Sequence, residues 1–434
     1  MLRRTFFSGF IFILVCLPAQ AEQFKVGFAK VDITPEANIP MWGYGARHDA
    51  LSKGVRDPLH AKGVVIDVGA GKLAIVGLDL GRSPDPEIMD RLLAKTRKEA
   101  GITAILMSGS HTHHGPVIEL RNEDGKGKER FQDAAAYADD LEEKLGQVIL
   151  DAAANVQDAK IGWASAETHL NRNRHTKIQP KPTEKELAVV RFDDLDGKPI
   201  ALLVNFAAHP TMLDGADLRF SSEYPGQMMN YVEKTLGTNC FFMQGAAGDL
   251  SPNRPEGVEG IEGFGKVLGD EVLAINKKIE TSIPENPQIQ WASHEFVYQT
   301  RIDFRNPIVK TLFANAFFPE LAECVYDLVQ NNELKPRLTT VLLNGRLAMV
   351  GGSGEFFCQH SNRLKERSRA EKTLFFGYCN GHHMYFPTVE AAAEGGYGAD
   401  STVSWVSLGA GEEMMNQALI DIYTMLGKFT SPEM

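Results

Sequence analysis

The sequence predicts an α/β fold with layered sheets flanked by helices, an αββα-like sandwich whose site is formed by loops at strand ends. Short apolar runs bounded by Gly and Pro are typical of buried strands. Helical patterns lie between these runs, at residues 86–101, 134–156 and 226–236. Strands mixed with helices along one chain indicate an α/β architecture.

Polar side chains follow six of the apolar runs. In α/β sheets, sites form in the loops beyond strand ends, so we expect these side chains to meet in one pocket. In chain order the runs lead to Asp79, His111, His209, Asp249 with Ser251, Glu355 and Tyr385.

The first 21 residues have the pattern of an export signal. Arg3 and Arg4 form a positive n-region, the stretch TFFSGFIFILVCLP is apolar, and AQA at residues 19–21 fits a cleavage site. We therefore expect a mature chain that starts at Glu22 and is exported, to the periplasm or as a secreted protein. A membrane anchor is the weaker alternative because the apolar run is short for a span of about 20 residues. The paired arginines leave a twin-arginine route open.

No linker, low-complexity run or repeat divides residues 22–434, so we expect a single large domain. The formal net charge of -11 argues against a nucleic-acid partner, because phosphate binding needs basic patches. The sequence leaves the oligomeric state open.

Four cysteines follow the predicted cleavage site without a CxxC pair. One or two disulfides and buried free thiols are both open as interpretations. The four are Cys240, Cys324, Cys358 and Cys379.

Three histidines lie in the stretch SHTHHGP, residues 110–116. In an extended segment, residues i and i+2 lie on the same side, so His111 and His113 can face one site while His114 points elsewhere. Either both bind one ion, or one binds it and the other makes hydrogen bonds nearby. A satisfied or solvent-exposed histidine cluster is the alternative without a metal.

His209 and Glu355 complete a plausible ligand set. His209 follows an apolar run, and Glu355 sits in the glycine-rich stretch GGSGEFF. Two imidazoles and a carboxylate are usual protein ligands of a catalytic zinc. Since the sequence has no HExxH motif, such a site must be assembled from distant segments.

Ser251 lies beside Asp249 in GAAGDLSPN. This serine is either a nucleophile or oxyanion-side hydroxyl, or part of a turn, because Gly, Asp, Ser, Pro and Asn are turn residues. The sequence has no GxSxG elbow of a serine hydrolase.

Several segments together resemble the neutral (non-lysosomal) ceramidase family. The stretch KVDITPEANIPMWGYG resembles the family's opening, SHTHHGP its Ser-His-Thr-His-Ser-Gly-Pro segment, and NFAAHPTM its Asn-Phe-x-x-His-Pro-Thr. GAAGDLSPN is similar to its Gly-Asp-Val-Ser-Pro-Asn, and GEFF to its Gly-Glu-Phe. Tyr385 and Tyr397 have the spacing of two family tyrosines.

The resemblance implies a zinc-dependent amidase that splits ceramide or a related N-acyl lipid. By motif, His111, His209, Glu355 and Tyr385 would hold Zn²⁺, with His382 or His383 as competitors for the fourth place. His113 would bind an oxyanion or carry a proton, and Arg172 would contact substrate. Ser251 and Tyr397 would line the reacting centre, with Asp249 supporting Ser251. A lipid substrate also implies a possible peripheral contact with a membrane.

The sequence departs from the family in places. We expect the catalytic domain without the family's C-terminal immunoglobulin-like domain. SSEYPGQ replaces a Ser-Asp-Asn-x-Gly segment, and Gly398 follows the second tyrosine in place of Glu. Alternatives therefore stay open: a different N-acyl or ester substrate, a hydrolase with Ser251 as nucleophile, or a non-catalytic zinc- or lipid-binding protein.

Overall fold

A computed structural model describes residues 24–429. The predicted export signal and the start of the mature chain at Glu22 lie outside this range. Within it, no helix combines the length and the apolar character needed to cross a membrane.

The strands form two large sheets and three short pairs. In chain order they are β1 (Lys25–Asp32), β2 (His60–Asp67), β3 (Lys72–Leu78), β4 (Ile102–Gly109), β5 (Gln157–Glu167), β6 (Asn171–Asn173), β7 (Glu186–Asp194), β8 (Pro199–Phe206), β9 (Asn239–Gln244), β10 (Leu250–Pro252), β11 (Ile289–Glu295), β12 (Tyr298–Gln299), β13 (Glu333–Leu334), β14 (Arg337–Leu343), β15 (Leu347–Gly352), β16 (Glu355–Phe356), β17 (Lys372–Phe376) and β18 (Tyr385–Phe386).

The helices surround these sheets. They are α1 (Pro86–Ala100), α2 (Gln132–Ala154), α3 (Glu223–Leu236), α4 (Gly260–Asn276), α5 (Pro307–Ala316), α6 (Pro319–Leu328), α7 (Cys358–Arg367), α8 (Val389–Glu394) and α9 (Ala410–Met425). The three helical patterns predicted from the sequence are confirmed as α1, α2 and α3.

The larger sheet, ordered β4-β3-β2-β1-β5-β7-β8-β9, folds over on itself. Only two residue pairs, Lys25↔Asp158 and Val26↔Gln157, join β1 to β5, and β9 packs across the sheet on β2, β3 and β4. The approach is close: a Cβ on Gly77 of β3 would lie 2.2 Å from the carbonyl oxygen of Phe242 in β9. The two halves thus form the facing sheets of a sandwich.

Helices cover both outer faces of this sandwich. In β2, Val65 belongs to the core beneath α1 and α2, whereas Val64 and Ile66 belong to the core shared with β7–β9, α3 and α4. This alternation follows from the two-residue period of a strand buried on both faces. The predicted αββα layering is therefore confirmed.

The second sheet, ordered β11-β14-β15-β17, packs against α9 and extends the sandwich. The strand pairs β3–β4, β8–β9 and β15–β17 are parallel, so the two carboxyl ends in each pair lie side by side. The segments after β4, β8, β15 and β17 carry His111, His209, Glu355 and Tyr385. Parallel pairing is thus what brings these four predicted residues together. Asp79, which we expected in the same pocket, instead accepts from the backbone amide of His60 and does not line the cavity described below.

The four described cysteines are buried free thiols, and no disulfide joins any two of them.

Candidate metal centre and active site

Three buried side chains converge at the strand ends. Nε2 of His111 lies 3.1 Å from Nε2 of His209, and Oε2 of Glu355 lies 3.2 Å from both nitrogens. All three residues are at most 2% exposed.

The orientation of the two histidines makes their facing atoms acceptors. Nδ1 of His111 lies 2.7 Å from the carbonyl oxygen of Gly81, and Nδ1 of His209 lies 2.6 Å from that of Ala247. A carbonyl only accepts, so Nδ1 carries the proton and Nε2 presents a lone pair. Burial lowers the pKa of His209 to about 3, which keeps this ring neutral. Two lone pairs and a carboxylate oxygen in mutual contact form a site that could hold a cation.

The spacing of these atoms fits zinc. Four ligands at 2.0–2.1 Å from a tetrahedral centre lie about 3.3 Å from one another, close to the distances between His111, His209 and Glu355 given above. The hydroxyl oxygen of Tyr385 lies 3.4 Å from Nε2 of His209. Burial and the charge of Glu355 raise the pKa of Tyr385 well above its ordinary value, so ionisation of this phenol requires the charge of a bound ion.

His113 lies beside the place where His111, His209 and Glu355 converge. Its Nε2 lies 3.3 Å from Nε2 of His111, and His111, His113 and His209 have the spacing of a metal-binding group. Burial holds the pKa of His113 well below its ordinary value. His113 can therefore act as a neutral hydrogen-bonding group beside the ion or compete with Tyr385 as its fourth ligand.

His382 contacts the other oxygen of Glu355, and His111, Glu355 and His382 form a second group with the spacing of a metal site. Nε2 of His382 is 3.1 Å from Oε1 of Glu355, the oxygen that does not face His111 and His209. Burial, and then the charge of Arg82, lower the pKa of His382 to about 3. A neutral His382 that donates through Nε2 fixes the rotation of Glu355. His383 instead contacts Ser353.

The backbone around the ligands is strained. His111 has φ 68° and Met384, next to Tyr385, has φ 60°. Non-glycine residues in this region cost on the order of 1–3 kcal/mol and persist where surrounding structure holds them. The strain aims the His111 ring at the cluster.

Arg47 holds the histidine segment from outside, a role that the sequence analysis missed. Its Nη1 donates to the carbonyl oxygens of His113 and Trp42, and its Nε donates to that of Gly215 at 2.8 Å. Its Nη2 contacts Nε2 of His114 at 2.8 Å. His114 thus contacts Arg47 and the carbonyl of Asp214 instead of the cluster, as predicted from the alternation of His111, His113 and His114.

The arginine that reaches the cluster is Arg174. Its Nη2 lies 2.9 Å from Nε2 of His209 and donates to the hydroxyl of Tyr385 at 3.2 Å. The predicted substrate contact, Arg172, has an exposed side chain whose Nε donates to the carbonyl of Pro252 at 3.4 Å. Arg174 was missed because it matches Arg172 in residue type and lies in the same short segment.

The resemblance implied that Asp249 supports Ser251, but the Asp249 carboxylate has other hydrogen-bond partners in the structure. The Asp249 carboxylate accepts from Nδ2 of Asn173 at 2.6 Å and from the backbone amide of Cys358 at 2.7 Å. It therefore ties β6 to the start of α7. Ser251 pairs with Arg172 across β10 and β6, and it is not among the residues that line the cavity described next.

A cavity of about 510 Å³ opens onto the cluster. Its polar end contains His111, His113, Glu355, Tyr385 and the largely exposed Tyr397. Its remaining wall is mostly apolar and comes chiefly from α5 and α6: Val309, Leu312, Phe313, Ala316, Phe318, Leu321, Val325 and Leu328. A pocket with apolar walls and convergent polar groups at one end fits an amphiphilic ligand.

Comparison with known proteins supports the sequence resemblance. No protein-family model matches the chain. Neutral ceramidase A of Dictyostelium discoideum is 23% identical over 271 residues, which cover 54% of this chain and 36% of that protein. The neutral ceramidase of Drosophila melanogaster is 24% identical over 279 residues, which cover 57% of this chain and 38% of that protein. The match thus spans little more than a third of the length of these relatives.

Solved structures share the fold over nearly the whole chain. The neutral ceramidase from Pseudomonas aeruginosa matches with a TM-score of 0.75 and 18% identity, over 94% of this chain and 75% of that one. A structure of ceramidase complexed with C2 matches with a TM-score of 0.74 and 17% identity, over 95% of this chain and 77% of the other. The resemblance to neutral ceramidases and the predicted fold class are both confirmed.

Proposed function

We propose that this relative of the neutral ceramidases is an exported zinc-dependent amidase that hydrolyses the amide bond of ceramide or a related N-acyl lipid. The observation that carries the proposal is the acceptor cluster of His111, His209 and Glu355, with Tyr385 beside it, at the polar end of an apolar cavity.

His111, His209, Glu355 and Tyr385 would hold the ion. Zinc at this point would polarise the scissile carbonyl and lower the pKa of water toward about 7. The fixed tautomers of His111 and His209 support this role, because backbone carbonyls hold both rings in the ligand orientation.

Other residues of the chain would act on the substrate. The His113 ring and the Tyr397 hydroxyl border the cavity beside the cluster, where they can donate to an oxyanion, a role worth about 3 kcal/mol per donor. Arg174 adds a cation at the same point. The leaving amine needs a proton; a neutral His113, within reach of the cluster, would first take up the proton that the attacking water loses and then pass it to the amine nitrogen.

The apolar wall supports an acyl chain as the group next to the amide. Residues of α5 and α6 exclude water from that end of the cavity, so an alkyl chain gains free energy by burial there. A substrate with a long acyl chain is therefore favoured over a short-chain amide.

Water attack is favoured over a Ser251 nucleophile. A serine nucleophile needs an adjacent base that is oriented by a third group. The carboxylate of Asp249 bonds Asn173 and Cys358, and no hydrogen bond joins it to Ser251 within residues 24–429.

The test is product identification against a panel of N-acyl lipids, with metal content measured on the same sample. We expect about one zinc per chain, release of fatty acid and free amine, and loss of both zinc and turnover after chelation. Hydrolysis that survives complete removal of the metal would contradict the proposal.

A further inference from the structure

A buried arginine lines the cavity beside the cluster of His111, His209 and Glu355 but forms no hydrogen bond with these three side chains. The side chain of Arg82 is 8% exposed and lies on the cavity wall together with Trp42 and His382. Its guanidinium carbon is 4.9 Å from the centroid of the Trp42 ring, and that ring lies 5.0 Å from the ring of His111. Trp42 therefore contacts both Arg82 and the cluster.

The guanidinium of Arg82 has few partners. Its Nε lies 2.8 Å from Oε1 of Glu119 as an ion pair, but neither atom has a partner with hydrogen-bond geometry. Within residues 24–429, no hydrogen bond to the other two guanidinium nitrogens is formed either. A guanidinium carries five N–H donors. The Nε–H of Arg82 is buried without an acceptor, which costs free energy, and the N–H groups of its two Nη nitrogens stay available to a ligand.

The surroundings of the Arg82 guanidinium favour an anionic group of a ligand. Among the described residues that line the cavity, Arg82 is the only arginine, and no lysine is present. A planar guanidinium with free donors favours a carboxylate or phosphate oxygen over a neutral hydroxyl, because a charge-assisted hydrogen bond is about twice as strong as a neutral one.

We infer that Arg82 binds a carboxylate of the substrate, and that the preferred substrate class is N-acyl amino acids. The inference rests on the proposed amidase function. In such a molecule a single carbon separates the amide nitrogen from the carboxylate, so an amide held at the cluster places the carboxylate on the adjacent wall. Water adds across the amide C–N bond and releases a fatty acid and a free amino acid.

Three substrates with the same acyl chain test the class. They are N-dodecanoylglycine with a carboxylate, N-dodecanoylethanolamine with a neutral hydroxyl, and the phosphate ester of the latter. We expect kcat/KM for the glycine conjugate to exceed that for the neutral one at least tenfold, mainly through KM. Equal values for these two, or a preference for the phosphate ester, would overturn the inference.

Two variants test Arg82, and only one of them is expected to lower the preference for the carboxylate substrate. Arg82→Met should lower the ratio of kcat/KM for the glycine conjugate over the neutral amide at least tenfold. Glu119→Gln removes the competing carboxylate, so this ratio should stay or rise. If the pair were only structural, breaking it from either side would change the ratio in the same way.

Arg121→Met is the matched control, because Arg121 pairs with Asp85 and does not line the cavity. It should leave the ratio unchanged. Circular dichroism and zinc content of each variant show whether the fold and the cluster are intact, and the Glu119→Gln and wild-type results stand even where Arg82→Met does not fold.

A binding measurement separates this inference from the amidase function. If the zinc-loaded protein hydrolyses none of the three amides, the amidase proposal fails. Calorimetric binding of N-dodecanoylglycine over N-dodecanoylethanolamine that is weakened by Arg82→Met would still support the role of Arg82. Binding of both compounds with the same affinity would refute it.

Discussion

At the scale of single residues, His209 is the ligand whose loss is most informative. It contacts His111, Glu355 and Tyr385 through one nitrogen, so His209→Ala removes a ligand from the centre of the cluster. We expect zinc and activity to be lost while the fold is retained, as measured by metal analysis and circular dichroism. The exposed His169 provides the control: His169→Ala should keep both. Unchanged zinc in His209→Ala would remove His209 from the ligand set.

His113 and Tyr385 are distinguished by metal content. His113→Ala should keep zinc but lower kcat by about a hundredfold or more with little change in KM, because an oxyanion donor or proton carrier acts in the transition state. Tyr385→Phe should weaken zinc binding. If His113→Ala loses the metal and Tyr385→Phe keeps it, the fourth ligand is His113.

In the same activity assay, Ser251→Ala should retain measurable activity. An acyl adduct on Ser251 would reverse that expectation.

The residues of the cluster could be predicted from the sequence, but the arginines that surround the cluster could not. Residues such as His111 and Glu355 stand out because polar groups follow apolar strands, and parallel pairing then brings them together. Arg174 was not distinguished from Arg172, because both arginines lie in the same short segment and the turn after Asn173 is fixed by contacts that the sequence does not show. These are the hydrogen bond from the Arg174 amide to the carbonyl of Asp249 and those that Asn173 Oδ1 accepts from the two amides that follow Arg174. Arg47 donates to four backbone carbonyls, three of them distant in sequence, which no local pattern reveals.

At the scale of elements, the sandwich depends on the close approach of β3 and β9. Gly77→Ala would place a Cβ 2.2 Å from the carbonyl oxygen of Phe242, so one strand must shift. We expect a loss of about 1–3 kcal/mol or more in the free energy of unfolding, measured by urea denaturation. Gly71→Ala is the control, because its Cβ would meet Thr103 at 3.4 Å, an ordinary contact. Equal stability of the two variants would argue against this packing.

Glu186 joins β7 to α7 and β17. Its carboxylate pairs with Lys365 at 2.9 Å and also with Lys372. Burial alone would raise the pKa of Glu186, but the two lysines lower it to about 2 from 4.5. The pair therefore stabilises the fold above the unfolded-state pKa, and this stabilisation is lost as pH falls toward 2.

Glu186→Gln should accordingly lower the free energy of unfolding by on the order of 2–3 kcal/mol at pH 7 and by roughly half as much or less near pH 3. Urea denaturation across this range measures the difference. Glu371→Gln, which breaks an exposed pair with Arg346, should change stability little at either pH. A difference for Glu186→Gln that does not depend on pH would point to packing instead of charge.

The elements themselves were partly predictable. The amphipathic patterns located α1, α2 and α3 because their apolar faces are regular and a glycine in the left-handed conformation ends α1 and α3. The folding of one eight-stranded sheet into two facing halves was not visible locally. This folding depends on the short β1–β5 pairing and on which strand faces are buried together. Both are features of tertiary packing that a local sequence pattern does not show.

At the scale of the whole molecule, export remains a prediction from residues 1–21, and we expect the mature chain to begin at Glu22. Expression with the native N-terminus followed by N-terminal sequencing of the protein from the periplasm or medium tests this. Ala21→Leu should block cleavage, because the site requires small residues. Secreted protein that retains Met1 would contradict the prediction.

The position of the cluster also decides when during folding an ion can be held. Its residues follow β4 and β8 in one sheet and β15 and β17 in another, so no early, local fragment of the chain contains the site. Contacts of such long sequence separation form late. An ion at this cluster would therefore bind only after the two sheets have docked, so it would slow unfolding more than it would speed folding.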